Sequence, residues 1–112
     1  MKQTSDQVVK SADVIGKKVI STNDEPLGKI EEIVLDKLNG DVRYAVLSFG
    51  GFMGLNTDYY AIPWESLSYC SEKEAFELGI DKDKLTSAKG FNKDNWPNFA
   101  EEYTRSIDDF YS

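Results

Sequence analysis

Val34-Leu35-Asp36-Lys37-Leu38-Asn39-Gly40-Asp41-Val42-Arg43-Tyr44-Ala45-Val46-Leu47-Ser48-Phe49 is the stretch on which the fold turns. Asn39-Gly40 is a strong hairpin signal, because both central residues of a type I′ turn need a positive φ. Val34-Leu35 precedes it and Val42 to Phe49 follows, so two apolar arms flank one turn. Along the second arm Val42, Tyr44, Val46 and Ser48 share one face, and Arg43, Ala45, Leu47 and Phe49 the other. Both faces are apolar in its later half, so that half is expected to be covered on both sides.

Upstream, Leu27 to Asp36 is β-branched enough for a strand, and the slip of phase between Ile30 and Ile33 predicts a bulge. Asn23-Asp24-Glu25-Pro26 reads as a turn and Lys18-Val19-Ile20-Ser21 as a strand before it. Downstream, the loop Gly50 to Asp58 leads to a strand at Tyr59-Tyr60-Ala61-Ile62, stopped by Pro63. Trp64-Glu65-Ser66 is a turn, Leu67 to Cys70 a strand, Ser71 to Glu74 a turn, and Ala75 to Ile80 a further strand. About six short strands with local turns predict a mainly β chain, a small, strongly bent antiparallel barrel.

After Ile80 the pattern changes. Asp81 to Leu85 predicts a helical turn with an acidic N-cap, and Trp96-Pro97 a fixed bend. From about Asn98, Phe99, Tyr103, Ile107, Phe110 and Tyr111 recur at near-helical spacing, an amphipathic C-terminal helix expected to pack on the barrel. The expected organisation is a polar leader over 1–11, a barrel over 12–80 and a helical extension over 81–112.

The 112 residues carry 13 basic and 20 acidic side chains, a net charge of −7. That balance argues against nucleic acid and anionic lipid, which attract positive potential. No His occurs, so imidazole-dependent triads and His-ligated zinc are excluded. One cysteine, Cys70, forms no disulfide within the chain, which fits a reducing cytoplasm. No apolar run approaches the ~18–20 residues of a membrane span, and no signal peptide is evident.

Several chemistries fail on detail. Gly50-Gly51-Phe52-Met53-Gly54 follows a strand but runs toward another strand, without the helix N-terminus or Lys-Ser/Thr of a phosphate loop. Asp81-Lys82-Asp83 lacks the Gly and terminal Glu of a calcium loop. The adjacent acid pairs Glu31-Glu32, Glu101-Glu102 and Asp108-Asp109 point apart and form no acid/base dyad. Catalytic, cofactor-binding and metal-ligating residues are therefore all expected to be none. Phe52, Met53 and Leu55, three large apolar side chains on a Gly-rich loop, either fold inward or form a contact surface.

The ordered set Asp13-Val14-Ile15-Gly16-Lys17-Lys18-Val19, Asp24-Glu25-Pro26-Leu27-Gly28-Lys29-Ile30, Ile33-Val34-Leu35-Asp36, Gly40 to Leu47, Gly50 to Gly54 and Ala61-Ile62-Pro63-Trp64 resembles the PRC-barrel family. The tail from Gly90-Phe91 through Trp96-Pro97 to Tyr111 is similar to the extension of free-standing bacterial members. The family includes the cytoplasmic domain of the photosynthetic reaction-centre H subunit and the C-terminal domain of a ribosome-maturation factor. The resemblance implies a docking and assembly barrel without a general catalytic site. The H subunit's transmembrane helix and the ribosome factor's N-terminal domain have no counterpart here.

The resulting expectation is a cytoplasmic, non-enzymatic protein-interaction module without cofactors, self-associating as a homodimer. Phe52, Met53, Leu55, Tyr59 and Tyr60 form its candidate interaction surface, helped by uncovered sheet edges and the C-terminal helix. The alternative is a small-ligand-binding barrel, with a cavity lined by Trp64, Tyr44 and Tyr59.

Overall fold

The computed structural model describes residues 9–50, 57–88, 90–92 and 94–112, apart from the side chain of Glu101. A short helix α1 (Ser11–Val14) leads into strands β1 (Lys18–Ile20), β2 (Pro26–Leu35), β3 (Val42–Phe49) and β4 (Asp58–Pro63). A 3-10 turn (Trp64–Ser66) then joins β4 to β5 (Leu67–Cys70), followed by β6 (Ala75–Leu78), α2 (Lys82–Thr86) and α3 (Glu101–Tyr111).

The six strands form one sheet in the order β4-β3-β2-β1-β6-β5. It is mixed, which corrects the all-antiparallel expectation: β1 and β6 pair in parallel, and the other neighbours are antiparallel. The cause lies at Trp64–Ser66. Six strands linked by simple reversals would leave β6 antiparallel to β1. Here Pro63 ends β4 and the 3-10 turn carries the chain onward without reversing it, so the sense of β5 and β6 shifts by one strand. The sheet is strongly curled but stops at a half-barrel, with β4 and β5 as its two ends among the described residues.

The anticipated bulge is present: the β2–β3 register shifts between Ile30 and Glu32. Gly28, at φ +142°, brings β2 against β3 so closely that a Cβ there would stand 2.0 Å from the Ser48 carbonyl oxygen. The β2–β3 turn is longer than the expected two-residue type I′ form. Asp36 N–H donates to Asp41 O at 2.8 Å, closing a loop over residues 37–40 in which only Gly40 (φ +81°) is left-handed. Asp36 Oδ1 accepts the amide of Leu38 at 2.9 Å and Asn39 Oδ1 that of Asp41 at 2.9 Å, so local carboxylate and amide bonds outcompete the tighter turn. At the β1–β2 turn the buried Ser21 leaves the strand, and its Oγ accepts the amides of Asn23 and Glu25, both at 3.1 Å.

Two apolar clusters hold the sheet. Val19, Leu27, Ile30, Ala45, Leu47, Ile62, Phe76 and Leu78 fill one face, closed by Val14 of α1 and Leu85 of α2. Asp81 caps α2, its side chain accepting Lys84 N–H at 2.8 Å. The opposite face carries Tyr44 and Ala61, covered by Ile107 of α3 with Phe99, Tyr103 and Tyr111 around it. The alternation along β3 thus feeds two cores, and Tyr44 to Ser48 are all buried, as the two-faced pattern required. Each fully buried aliphatic side chain contributes about 1.5–3 kcal/mol.

Candidate interaction surface

Phe52, Met53 and Leu55 lie outside the described residues. Strand alternation parts the other two candidates. Tyr60 turns into the core, 6% exposed and edge-on to Phe49 at 6.2 Å between ring centroids, so it is not a surface residue. This corrects its place in the expected surface: on β4, Tyr60 shares the inward face with Ile62.

Tyr59, on the other face, is half-buried and gathers two partners that the sequence reading passed over. Its ring lies 5.8 Å from Phe91 and 5.6 Å from Trp96, and Phe91 and Trp96 meet at 5.0 Å. The backbone fixes the group. Tyr59 N–H donates to Phe91 O at 2.8 Å and Phe91 N–H to Tyr59 O at 2.9 Å, so Phe91 forms a one-residue extension of the sheet beyond β4. Gly90 permits that approach, because a Cβ there would sit 2.9 Å from both Tyr59 O and Tyr60 Cε1. The pairing covers part of the β4 edge that was expected to be open. Trp96 remains 38% exposed, so the trio presents an aromatic surface. Phe91 stands in a polar, aperiodic stretch, and only the rarity of a large aromatic residue in such a segment signals a partner elsewhere.

A second feature is an open cleft of about 510 Å³, lined by Asp41, Val42, Arg43, Tyr44, Pro63, Trp64, Glu65 and Asp108. It joins Tyr44 and Trp64, as the ligand reading expected, but not Tyr59. Tyr44 Oη donates to Asp108 Oδ1 at 3.1 Å. Burial, then the neighbouring Asp108 carboxylate, push the Tyr44 pKa up. Arg43 stands 3.7 Å from Asp36 and lies over the Tyr44 ring. Among the described residues no three His, Cys, Asp or Glu side chains converge as a metal site, and no helix is long and apolar enough to cross a membrane.

Residues 6–85 match the PRC-barrel domain family. The chain belongs to that family. A search of curated proteins returned no match. The PRC-barrel match ends at Leu85, the residue that closes the inner core, whereas Phe91, Trp96 and α3 lie beyond it. The aromatic surface is therefore composite: Tyr59 comes from the PRC barrel and its two partners from the extension.

The fit of that extension is imperfect. The Tyr103 and Tyr111 hydroxyls are buried without a hydrogen-bond partner, a penalty of about 1–3 kcal/mol for each such group. α3 begins at Ala100, which offers no side-chain cap, and its last turn carries Asp108 and Asp109 but no basic residue. Acidic groups at a helix C-terminus oppose its dipole.

Proposed function

We propose that this PRC-barrel chain is a non-catalytic protein-interaction and assembly module of the cytoplasm, and that it self-associates. The observation carrying this reading is the Tyr59–Phe91–Trp96 surface. Three aromatic rings held by two backbone hydrogen bonds, with Trp96 still 38% exposed, are a preorganised apolar contact of the kind that anchors interfaces. The candidate loop residues Phe52, Met53 and Leu55 precede Tyr59 closely in the chain and are proposed to contribute to the same end. Light scattering across a concentration series tests the reading. A rising mass that falls back in Trp96→Ala is expected. A constant monomer mass at high concentration removes self-association.

A second reading, a small-ligand site, is favoured by the Tyr44–Trp64 cleft of about 510 Å³. Its check is saturable quenching of Trp64 fluorescence by a ligand library in a Trp96→Phe background. Quenching that also occurs with Tyr44→Ala and Asp108→Ala would dismiss the cleft as its source.

A further inference from the structure

We propose that two copies associate by exchanging α3, each helix docking on the β3–β4 face of the other chain. The inference rests on the self-association reading and names its contact. Three observations meet at the segment Pro97–Ala100.

First, this hinge is short and strained. Pro97 fixes the entry to a bend, and Phe99 sits at φ +57°, a left-handed conformation that a bulky L-residue seldom adopts. The left-handed residues Asp24 and Glu74 lie in turns closed by backbone bonds, Asp24 N–H to Ser21 O and Glu74 N–H to Ser71 O. Phe99 is instead held between Asn98 Oδ1, which accepts Ala100 N–H at 3.0 Å, and its ring contacts with Tyr44 and Tyr103. A hinge that must double back so tightly gains by straightening, and short strained hinges favour exchange of the element they carry.

Second, the hinge is bounded by an anchor and a movable element. Before it, Trp96 is packed on Tyr59 and Phe91, and Phe91 is bonded to β4. After it, α3 holds through side chains alone: Ile107 in the outer cluster, the Tyr44–Asp108 bond and Lys84 over the Phe110 ring at 4.6 Å. Straightening four residues moves the start of α3 by up to about 13 Å from Trp96.

Third, the occupant is defined by fit. The seat formed by Tyr44 and Ala61 matches the Tyr103–Ile107–Tyr111 stripe, and an identical helix from a second chain makes every one of these contacts again. α3 and its seat are preserved while the hinge strain is relieved. The aromatic surface flanks the hinge, so two exchanged chains meet at Tyr59, Phe91 and Trp96.

The test is an isotope-filtered NOE measurement on full-length protein, mixing ¹³C-labelled and unlabelled chains after joint unfolding and refolding, at concentrations where light scattering reports a dimer. An intermolecular contact between the Ile107 methyls and the Ala61 methyl is expected. A companion variant with three residues, Gly-Ser-Gly, inserted between Pro97 and Asn98 lets α3 fold back without strain, and should weaken dimerisation about tenfold or more. A dimer showing only intramolecular Ile107–Ala61 contacts, or one indifferent to the insertion, overturns the exchange and leaves self-association standing. A strict monomer overturns both.

Discussion

Tyr44, in the third strand, donates its phenolic hydrogen to Asp108, in the last helix, at 3.1 Å across 64 residues of sequence. This is a polar clamp between the PRC barrel and its extension, and it sits beside the aromatic packing of Phe99 on Tyr44 at 6.0 Å. Tyr44→Phe keeps the ring and removes the bond. It should lower stability by about 1 kcal/mol, more if Asp108 loses its only neutraliser. The signature is faster hydrogen exchange in α3 with β2 and β3 unaffected. Uniform acceleration across the sheet would show that the bond supports the whole barrel instead.

Ile107 is the pivot of the same contact, 4% exposed against Tyr44 and Ala61. Ile107→Ala removes about 2–5 kcal/mol of packing. An 11-residue helix is marginal alone, so α3 should unwind while the barrel stays folded. Circular dichroism should show lost helix with a retained β signal. Loss of both together would mean that α3 and the barrel are one cooperative unit.

Alkaline pH should act on the same helix. Burial, then the charge of Tyr44, push the Tyr103 pKa up from 10.0 to about 12. Burial above all, with Tyr60 and Tyr103 nearby, also drives the Tyr111 value upward. The docked state therefore holds its protons more tightly than the undocked one. The stabilisation is complete below about pH 10 and is lost as pH rises through the docked values, from about 10 to 12 and beyond. A pH titration should show the exposed Tyr69 ionising first, and the buried phenols later, together with loss of α3 helicity. Helicity unchanged while all six tyrosines ionise would refute the coupling.

Gly28→Ala probes the sheet. The added Cβ would meet the Ser48 carbonyl oxygen at 2.0 Å, and the φ of +142° is unfavourable for any side chain. Both faults lie in backbone that cannot yield, so the loss should exceed about 4 kcal/mol, at the upper end for single substitutions. Urea unfolding is the measurement. Gly16→Ala is its control: a positive φ with open space around it, and a cost expected near 1 kcal/mol. Equal losses at the two sites would show that conformation, not the close approach, is decisive.

The two sites of the protein differ in how far they can be read from residues alone. The bulge at Ile30–Glu32, the acidic cap of α2 and the amphipathic stripe of α3 are local patterns, and each is present where its residues stand. Tyr59 was legible as a candidate for the same reason, since strand alternation is a property of neighbours. Its partners were not. Phe91 and Trp96 reach it through a sheet contact 32 residues away, made possible by Gly90 rather than by any periodicity.

Sequence by itself determined the mainly β character, the short strands and their turns, the absence of imidazole chemistry and the two-faced third strand. These depend on side-chain type and on interactions a few bonds long. Tertiary structure alone decided that the 3-10 turn at Trp64–Ser66 leaves the chain unreversed, that β6 therefore meets β1 in parallel, and that Tyr60 is core while Tyr59 is surface. It also decided that Phe99 must bend backward for α3 to reach its seat. Direction and burial are set by where the whole chain finds room to pack, and no short window of residues carries that information.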